Sequence, residues 1–215
     1  MTIQPNKLER YNKLFISLRY WLIGMSQSNH SYVVPLKALE YAKNIHIGFR
    51  KDGNTPEFQH QLEITLFLRT LVPGMIYPAE TLASAILHDV PEDYDISFAE
   101  IESNFGSIVR HNTELLTKTY CGGKKNTGIY FENMSKSPIA SIIKGADRIN
   151  NQQSMHGVFS TEKQQLYLDE TITHIIPMLK KARHLHIEQE HIYENIKFIL
   201  NSQILLIKQK IDAVE

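Results

Sequence analysis

Apolar residues recur along most of this chain at the spacing of an amphipathic helix, and no segment shows the sustained alternation that is typical of a strand. A first helix is predicted from about Lys7 to Met25, with an apolar face of Leu8, Tyr11, Phe15, Leu18 and Leu22. The last helix is predicted from about Glu188 to Val214, with an apolar face of Ile192, Ile196, Ile199 and Leu206. The pattern therefore predicts an all-α fold.

Capping residues and prolines predict where the inner helices begin. Thr55 and Pro56 form one start signal, because a capping hydroxyl precedes a proline suited to the first turn. Further start signals are Pro35, Pro78, the capping box Ser97-Phe98-Ala99-Glu100, Ser137-Pro138, and Ser160 or Thr161. The stretch from Cys121 to Gly128 is predicted to be a loop, either a connector or a mobile basic flap over a phosphate site.

The chain has 215 residues, of which 42% are hydrophobic and 21% charged, and this composition suits one globular domain with appended helices. We expect an N-terminal helical extension over residues 1–30, a helical core domain over 31–185 and a C-terminal helix over 186–215. The C-terminal helix either packs back on the domain or forms a subunit interface, so the terminal helices are candidates for a homo-oligomer contact.

The charge balance and the cysteine content exclude several classes of protein. With 23 basic and 23 acidic residues there is no global field that would draw the chain to nucleic acid or to an anionic membrane. The single Cys121 excludes an internal disulfide framework and a cysteine-rich zinc site. The N-terminal residues do not resemble a signal peptide, and no apolar run approaches the ~18 residues of a membrane span. These observations predict a cytoplasmic protein without a membrane partner.

The stretch His88-Asp89-Val90-Pro91-Glu92-Asp93 directly follows the apolar run from Leu82 to Leu87. An imidazole beside a carboxylate is costly to bury unless something compensates the charge, and a divalent metal is the usual compensation. Pro91 lacks an N–H, so it should kink or end the helix at this point. The alternative interpretation is a solvated helix end where acidic residues happen to cluster.

Four candidate metal ligands lie at or near the ends of apolar helices: His60, His88, Asp89 and Asp147. Two imidazoles and two carboxylates suit Mn²⁺, Fe²⁺ or Zn²⁺, with positions left for water and a phosphate oxygen. A helical bundle can bring such ligands together in its core. Taken singly, His60 has the alternative of a hydrogen-bonded core histidine, and Asp147 that of an ion pair with Arg148.

The order His…His-Asp…Asp resembles that of the HD-domain metal-dependent phosphohydrolases. The chain is more closely similar to the hydrolase domain of RelA/SpoT proteins, and closest to the stand-alone small alarmone hydrolases. The motifs that carry this likeness are His46-x-Gly48-x-Arg50-Lys51-x-Gly53, Thr55-Pro56-x-x-x-His60, His88-Asp89-x-x-Glu92-Asp93, Phe105-Gly106, Thr117-Lys118, Ser137-Pro138 and Lys144-x-Ala146-Asp147-Arg148-x-x-Asn151. The resemblance covers about Leu36 to Leu179 and implies a single HD-domain helical bundle.

The resemblance also implies an activity, the hydrolysis of the 3′-pyrophosphate of (p)ppGpp in the stringent response, which gives GDP or GTP and pyrophosphate. It implies that Mn²⁺, with Zn²⁺, Fe²⁺ or Mg²⁺ as alternatives, is held by His60, His88, Asp89 and Asp147. Glu92 and Asp93 would orient or deprotonate the attacking water. The implied contacts to the small-molecule nucleotide are Arg50 on the base, and Lys51, Lys118, Asn151 and Tyr167 on phosphate or ribose.

The chain departs from the family pattern at a few positions. Glu57 and Phe58 stand in place of a Tyr-Ile pair, Pro91 lies within the acidic motif, and Asn150 stands where an aromatic residue or histidine is common. These departures bear on base specificity and remove neither a metal ligand nor an acid. The alternatives are a related hydrolase acting on (p)ppApp, NADPH or a dNTP, and a non-catalytic nucleotide-binding module. The intact acidic pair argues against the last, because a binding module has no need of it.

Overall fold

The computed structural model describes residues 5–212, and helices dominate this part of the chain. The helices, in chain order, are α1 Pro5–Ser28, α2 Val33–Ile45, α3 Gln59–Arg69, α4 Pro78–Leu87, α5 Val90–Asp93, α6 Phe98–Phe105, α7 Ser107–Leu116, α8 Thr127–Ser135, α9 Ala140–Ser154, α10 Thr161–Glu170, α11 Ile176–Leu185 and α12 Glu190–Asp212. A π-helical turn, Thr171–Ile175, joins α10 to α11. The all-α prediction is confirmed, while the predicted end of the last helix at Val214 lies outside the described residues.

Helix α9 runs through the centre of the bundle, where it packs against α3, α4, α7, α8, α11 and α12. The close approach of α12 depends on Gly145, because a Cβ atom there would lie 2.6 Å from Ile196 Cγ2. This central helix carries Asp147 in its middle, so the packing that forms the core also places a carboxylate inside it.

The terminal helices bury most, but not all, of their predicted apolar faces. In α1, Leu18 and Leu22 are fully buried, whereas Leu8 is 40% exposed near the end of the helix. The buried stripe of α12 is centred on Tyr193, Ile196 and Leu200. Leu206 was predicted on that face and is 60% exposed, because it lies beyond the edge of the stripe.

Local start signals succeed except where another side chain takes the capping hydroxyl. Ser97 caps α6 by accepting from the Glu100 N–H, and Ser160 caps α10 in the same way. The start predicted at Thr55 and Pro56 is wrong. The Thr55 hydroxyl instead donates to Asp52 Oδ2 at 2.6 Å, and α3 begins only at Gln59.

The segment predicted as a loop from Cys121 to Gly128 contains part of a small antiparallel hairpin. Strand β1, Thr119–Tyr120, pairs with β2, Gly123–Lys124, through a turn in which Cys121 and Gly122 have positive φ. Asn126 then caps α8. The connecting segment is therefore partly regular, and the prediction of a loop throughout is wrong.

No helix within residues 5–212 is both long and apolar enough to cross a membrane.

Candidate metal centre

Three helical segments bring the predicted ligands together. His60 lies in the first turn of α3, His88 directly follows α4, and Asp147 projects from the middle of α9. One ligand atom from each of these residues lies within 4.8 Å of the other two, and all three side chains are buried. Asp89 is adjacent, with its Oδ1 3.1 Å from His88 Nε2 and its Oδ2 3.8 Å from His60 Nε2.

The two imidazole rings are oriented by hydrogen bonds on the side away from the cluster. His88 Nδ1 lies 2.7 Å from the Ala85 carbonyl oxygen, which can only accept, so this nitrogen carries the proton. His88 Nε2 is buried and has no well-aligned hydrogen-bond partner among the described residues. Its nearest polar neighbour is the Asp89 carboxylate at 3.1 Å, and a cation bound between the two groups would satisfy both. With two imidazoles and the Asp147 carboxylate grouped together and the Asp89 carboxylate beside them, the donor set fits a divalent cation.

The charges of the cluster also favour a bound cation. Burial by itself would lower the pKa of His88, but the neighbouring Asp89 carboxylate outweighs it and raises that pKa to about 9. Burial would raise the pKa of Asp147, yet the Lys144 ammonium and the His60 ring hold it well below its usual range. The Asp147 carboxylate is thus kept anionic, and the His88 ring readily takes up a proton. A bound metal ion would supply this positive charge in place of the proton.

Further side chains hold the carboxylates in place. Gln61 Nε2 donates to Asp89 Oδ2 at 2.9 Å, and Lys144 Nζ donates to Asp147 Oδ2 at 2.9 Å. Arg148 does not pair with Asp147, because its guanidinium group turns away to Glu170. The alternative interpretation of Asp147 as the partner of Arg148 is therefore wrong. The supporting role of Lys144 could have been inferred from its position three residues before Asp147 on one helix.

The two predicted catalytic acids lie on the short helix α5, next to the cluster. Pro91 occupies the first turn of α5, and the preceding helix α4 ends at Leu87, so the predicted interruption of the helix is confirmed. Glu92 Oε2 accepts from the Lys118 backbone N–H at 2.9 Å. Burial and the nearby Asp89 carboxylate raise the pKa of Asp93 to about 6. Both acids line the cleft, with part of each residue open to solvent.

A cleft of about 800 Å³ opens over the cluster. Its lining includes the predicted metal ligands His60, His88, Asp89 and Asp147, the predicted acids Glu92 and Asp93, and the predicted nucleotide contacts Arg50, Lys51, Lys118, Asn151 and Tyr167. All the predicted ligands, acids and nucleotide contacts therefore line one cavity, although they come from widely separated parts of the chain.

The basic wall of this cleft begins at the turn that carries Arg50 and Lys51. Arg50 Nη2 lies 3.3 Å from Ser154 Oγ and 3.5 Å from Asn151 Oδ1. The Lys51 ammonium lies near the Phe159 ring, where its contact with Lys163 holds the pKa of Lys51 below its usual value. Two lysines that share one site are suited to an anion. Lys163 was not predicted, and no local sequence signal pointed to it.

A second part of the cleft lining is arranged around Glu170. Lys118 Nζ donates to Glu170 Oε1 at 2.8 Å, and the Arg148 guanidinium group pairs with the same carboxylate. Arg148 also stacks 4.5 Å from the centre of the Tyr167 ring. Asn151 donates to Asp147 Oδ1 at 2.5 Å. The predicted nucleotide contacts in this part of the lining are thus held by protein partners beside the open cleft.

These features define a class of protein, a helical bundle with a His-His-Asp centre beneath an acidic and basic cleft. The HD domain family profile matches residues 38–175, so this chain belongs to the HD-domain family. The resemblance found in the sequence over nearly the same segment is thereby confirmed.

Curated relatives match the chain over part of their own length. A guanosine-3′,5′-bis(diphosphate) 3′-pyrophosphohydrolase of Aquifex aeolicus is 32% identical over 149 residues, which cover 66% of this chain and 20% of that protein. The enzyme of the same name from Spiroplasma citri is 31% identical over 144 residues, 63% of this chain and 19% of that protein. A GTP pyrophosphokinase of Streptomyces coelicolor is 28% identical over 148 residues, 66% of this chain and 17% of that protein. The chain thus spans about a fifth of the length of these relatives.

Among solved structures, a metazoan ortholog of SpoT described as hydrolysing ppGpp aligns with a TM-score of 0.57 at 24% identity. The alignment covers 75% of this chain and 94% of that one, and it shows that the two share a fold.

Proposed function

We propose that this chain hydrolyses the 3′-pyrophosphate of (p)ppGpp in a metal-dependent reaction that gives GDP or GTP and pyrophosphate. The observation that carries the proposal is the convergence of His60, His88 and Asp147 beneath a cleft that is lined by both acidic and basic side chains. The names of the relatives, which include 3′-pyrophosphohydrolases of guanosine bis(diphosphate), support the same substrate class.

His60, His88, Asp89 and Asp147 would hold the cation, for which the mixed imidazole and carboxylate set suits Mn²⁺. When bound, a divalent cation lowers the pKa of a coordinated water and offsets charge that develops on the phosphoryl group. Glu92 and Asp93 orient the attacking water and accept its proton. The Lys118 N–H bond to Glu92 keeps that carboxylate at the edge of the cleft. Attack at the phosphorus next to the 3′ oxygen releases pyrophosphate, and the proton from water passes through the acids to the departing oxygen.

The basic and polar side chains that line the cleft bind the nucleotide. Arg50 packs its guanidinium plane on the base, since its contacts with Asn151 and Ser154 are long and easily exchanged. Lys51, Lys118 and Tyr167 meet phosphate oxygens, and Asn151 meets a ribose or phosphate oxygen. The catalytic domain in this proposal spans residues 31–185, flanked by the N-terminal extension and the C-terminal helix. Cytoplasmic location and self-association through the terminal helices stay predictions.

A related nucleotide activity, on (p)ppApp, NADPH or a dNTP, is the second candidate. It is favoured by Glu57, which stands at a position where the family commonly has tyrosine. The Glu57 carboxylate lines the cleft and accepts a hydrogen bond from Tyr94 OH. An added negative charge in the wall changes which base and which phosphates fit.

The test incubates the purified protein and Mn²⁺ with a panel of these nucleotides and identifies the products. We expect the parent protein to release pyrophosphate from ppGpp. We expect His88→Ala and Asp147→Ala to lose both the bound metal and the turnover of ppGpp. Cleavage of NADPH or a dNTP with no action on ppGpp would leave the metal chemistry in place and refute the alarmone substrate. Full metal content and activity in both variants would refute the site.

A further inference from the structure

A series of hydrogen bonds, buried at its inner end, runs from His60 away from the metal cluster. His60 Nδ1 lies 2.7 Å from Asn150 Oδ1, and Asn150 Nδ2 donates to Glu63 Oε2 at 2.8 Å. The other oxygen of Glu63 accepts from Gln59 Nε2 at 2.8 Å and from Arg10 Nη2 at 2.8 Å. These hydrogen bonds thus link a predicted metal ligand on α3 through α9 to helix α1, which lies outside the segment matched by the family profile.

The direction of each hydrogen bond follows from the carboxylate at its far end. Glu63 can only accept, so the amide NH₂ of Asn150 must face it, and the amide oxygen of Asn150 must then face His60. An oxygen at that position requires the proton on His60 Nδ1. The lone pair of His60 Nε2 is therefore left pointing into the cluster, as a metal ligand needs.

Because His60 and Asn150 are buried, the donor and acceptor roles in these hydrogen bonds affect the metal centre. His60 is 5% exposed and Asn150 is 6% exposed, so water does not readily replace a lost partner. Arg10 lies at the exposed end of this series of hydrogen bonds, where an ion pair contributes little to stability. The influence on the metal centre is accordingly concentrated in Asn150 and Glu63.

We infer that Asn150 and Glu63 are positioning residues that set the tautomer of His60 and thereby the affinity of the centre for its metal. The inference rests on the proposed metal site but not on any substrate. Asn150 occupies a position where the family commonly has an aromatic residue or histidine, so this arrangement belongs to this chain rather than to the family motif.

The test measures Mn²⁺ affinity directly, from the signal of the free ion in electron paramagnetic resonance, without substrate. Asn150→Ala removes the acceptor and is expected to weaken binding by about 10–100-fold, the usual effect of losing such a partner. Glu63→Gln is expected to weaken it as well. The retained oxygen of the new side chain still accepts from Gln59 and Arg10, so its NH₂ faces Asn150, flips that amide and directs an N–H at His60.

A polarity-reversing double variant separates tautomer control from packing. In Glu63→Gln with Asn150→Asp, the new carboxylate accepts from His60 Nδ1–H and from the new amide NH₂, so every hydrogen bond is restored with the net charge unchanged. We expect Asn150→Asp alone to bind Mn²⁺ more weakly, because its carboxylate faces Glu63, and the double variant to return to within about threefold of the parent, well inside the 10–100-fold loss. Lys13→Ala is the matched control, since Lys13 is exposed and pairs only with Glu9 among the described residues.

Unchanged Mn²⁺ affinity in Glu63→Gln, or a double variant no better than the single ones, would overturn the inference. Thermal unfolding of the metal-free proteins identifies variants that fail to fold, and in that case Asn150→Ser, which keeps a small polar side chain, takes the place of Asn150→Ala. A protein that binds Mn²⁺ as described but cleaves no alarmone would refute the proposed function and leave this inference standing.

Discussion

Protonation of His46 is predicted to destabilise the folded protein in mildly acidic solution. The His46 ring is fully enclosed, stacked on Phe58 at 5.5 Å and edge-on to Tyr94 at 4.9 Å. Neither ring nitrogen has a hydrogen-bond partner among the described residues. Burial is the main cause that lowers the pKa of His46 to about 4, and it outweighs the opposing charges of Asp89 and Glu57.

The magnitude follows from the difference between the folded and the unfolded pKa. In the unfolded chain the pKa of His46 is 6.5, against about 4 in the folded protein. The contribution of a neutral His46 is therefore complete above pH 6.5 and is lost as the pH falls towards 4, because the unfolded state binds the proton first. The full loss amounts to about 3 kcal/mol, of which about 2 kcal/mol falls between about pH 7.5 and about pH 5.

The assay is urea unfolding of the parent and of His46→Phe at about pH 7.5 and about pH 5. Phenylalanine keeps the stacking on Phe58 and cannot take up a proton. The other titrating groups are common to both proteins, so the difference between the two pH dependences isolates His46. Parallel pH dependences for the two proteins, with a difference below about 0.5 kcal/mol, would refute the reasoning and mean that water or a partner satisfies the charged ring.

Three further predictions concern catalysis and substrate binding. Glu92→Gln should keep its Mn²⁺ and its affinity for ppGpp while losing about 10²–10⁴-fold in turnover, measured by single-turnover kinetics with metal analysis. Arg50→Ala should raise KM for ppGpp with a smaller change in kcat, because the guanidinium group acts in binding, and steady-state kinetics decides this. Lys7→Ala should also raise KM, since Lys7 Nζ donates at 2.7 Å to Asp52 in the turn that carries Arg50, while Lys13→Ala leaves KM unchanged.

Each of these predictions has an outcome that contradicts it. Loss of Mn²⁺ in Glu92→Gln would make Glu92 a ligand, and unchanged turnover in both Glu92→Gln and Asp93→Asn would make the pair a solvated helix end. An unaltered KM in Arg50→Ala would remove that residue from the base site. Equal effects of Lys7→Ala and Lys13→Ala would show that the turn does not depend on its bond to α1.

The sequence alone determined the features that depend on neighbouring residues. The helical period predicted the all-α fold, and the cap at Ser97 and the interruption at Pro91 followed from local backbone chemistry. The candidate ligands were found because histidine and aspartate at the ends of apolar helices are costly to bury without a cation. Their positions in one cleft agree with that reasoning, while their roles stay predictions.

Only the tertiary structure decided which distant groups meet. Asn150 contacts His60 across 90 residues of chain and Glu63 across 87, and neither contact leaves a trace in the local pattern. Thr55 shows both influences, because its hydroxyl donates to Asp52 three residues away and accepts from Lys7 on the distant helix α1. Periodicity and capping act over one or two helical turns, whereas hydrogen bonds between helices depend on how the whole core packs. That packing brings the residues of the separate motifs together in one site.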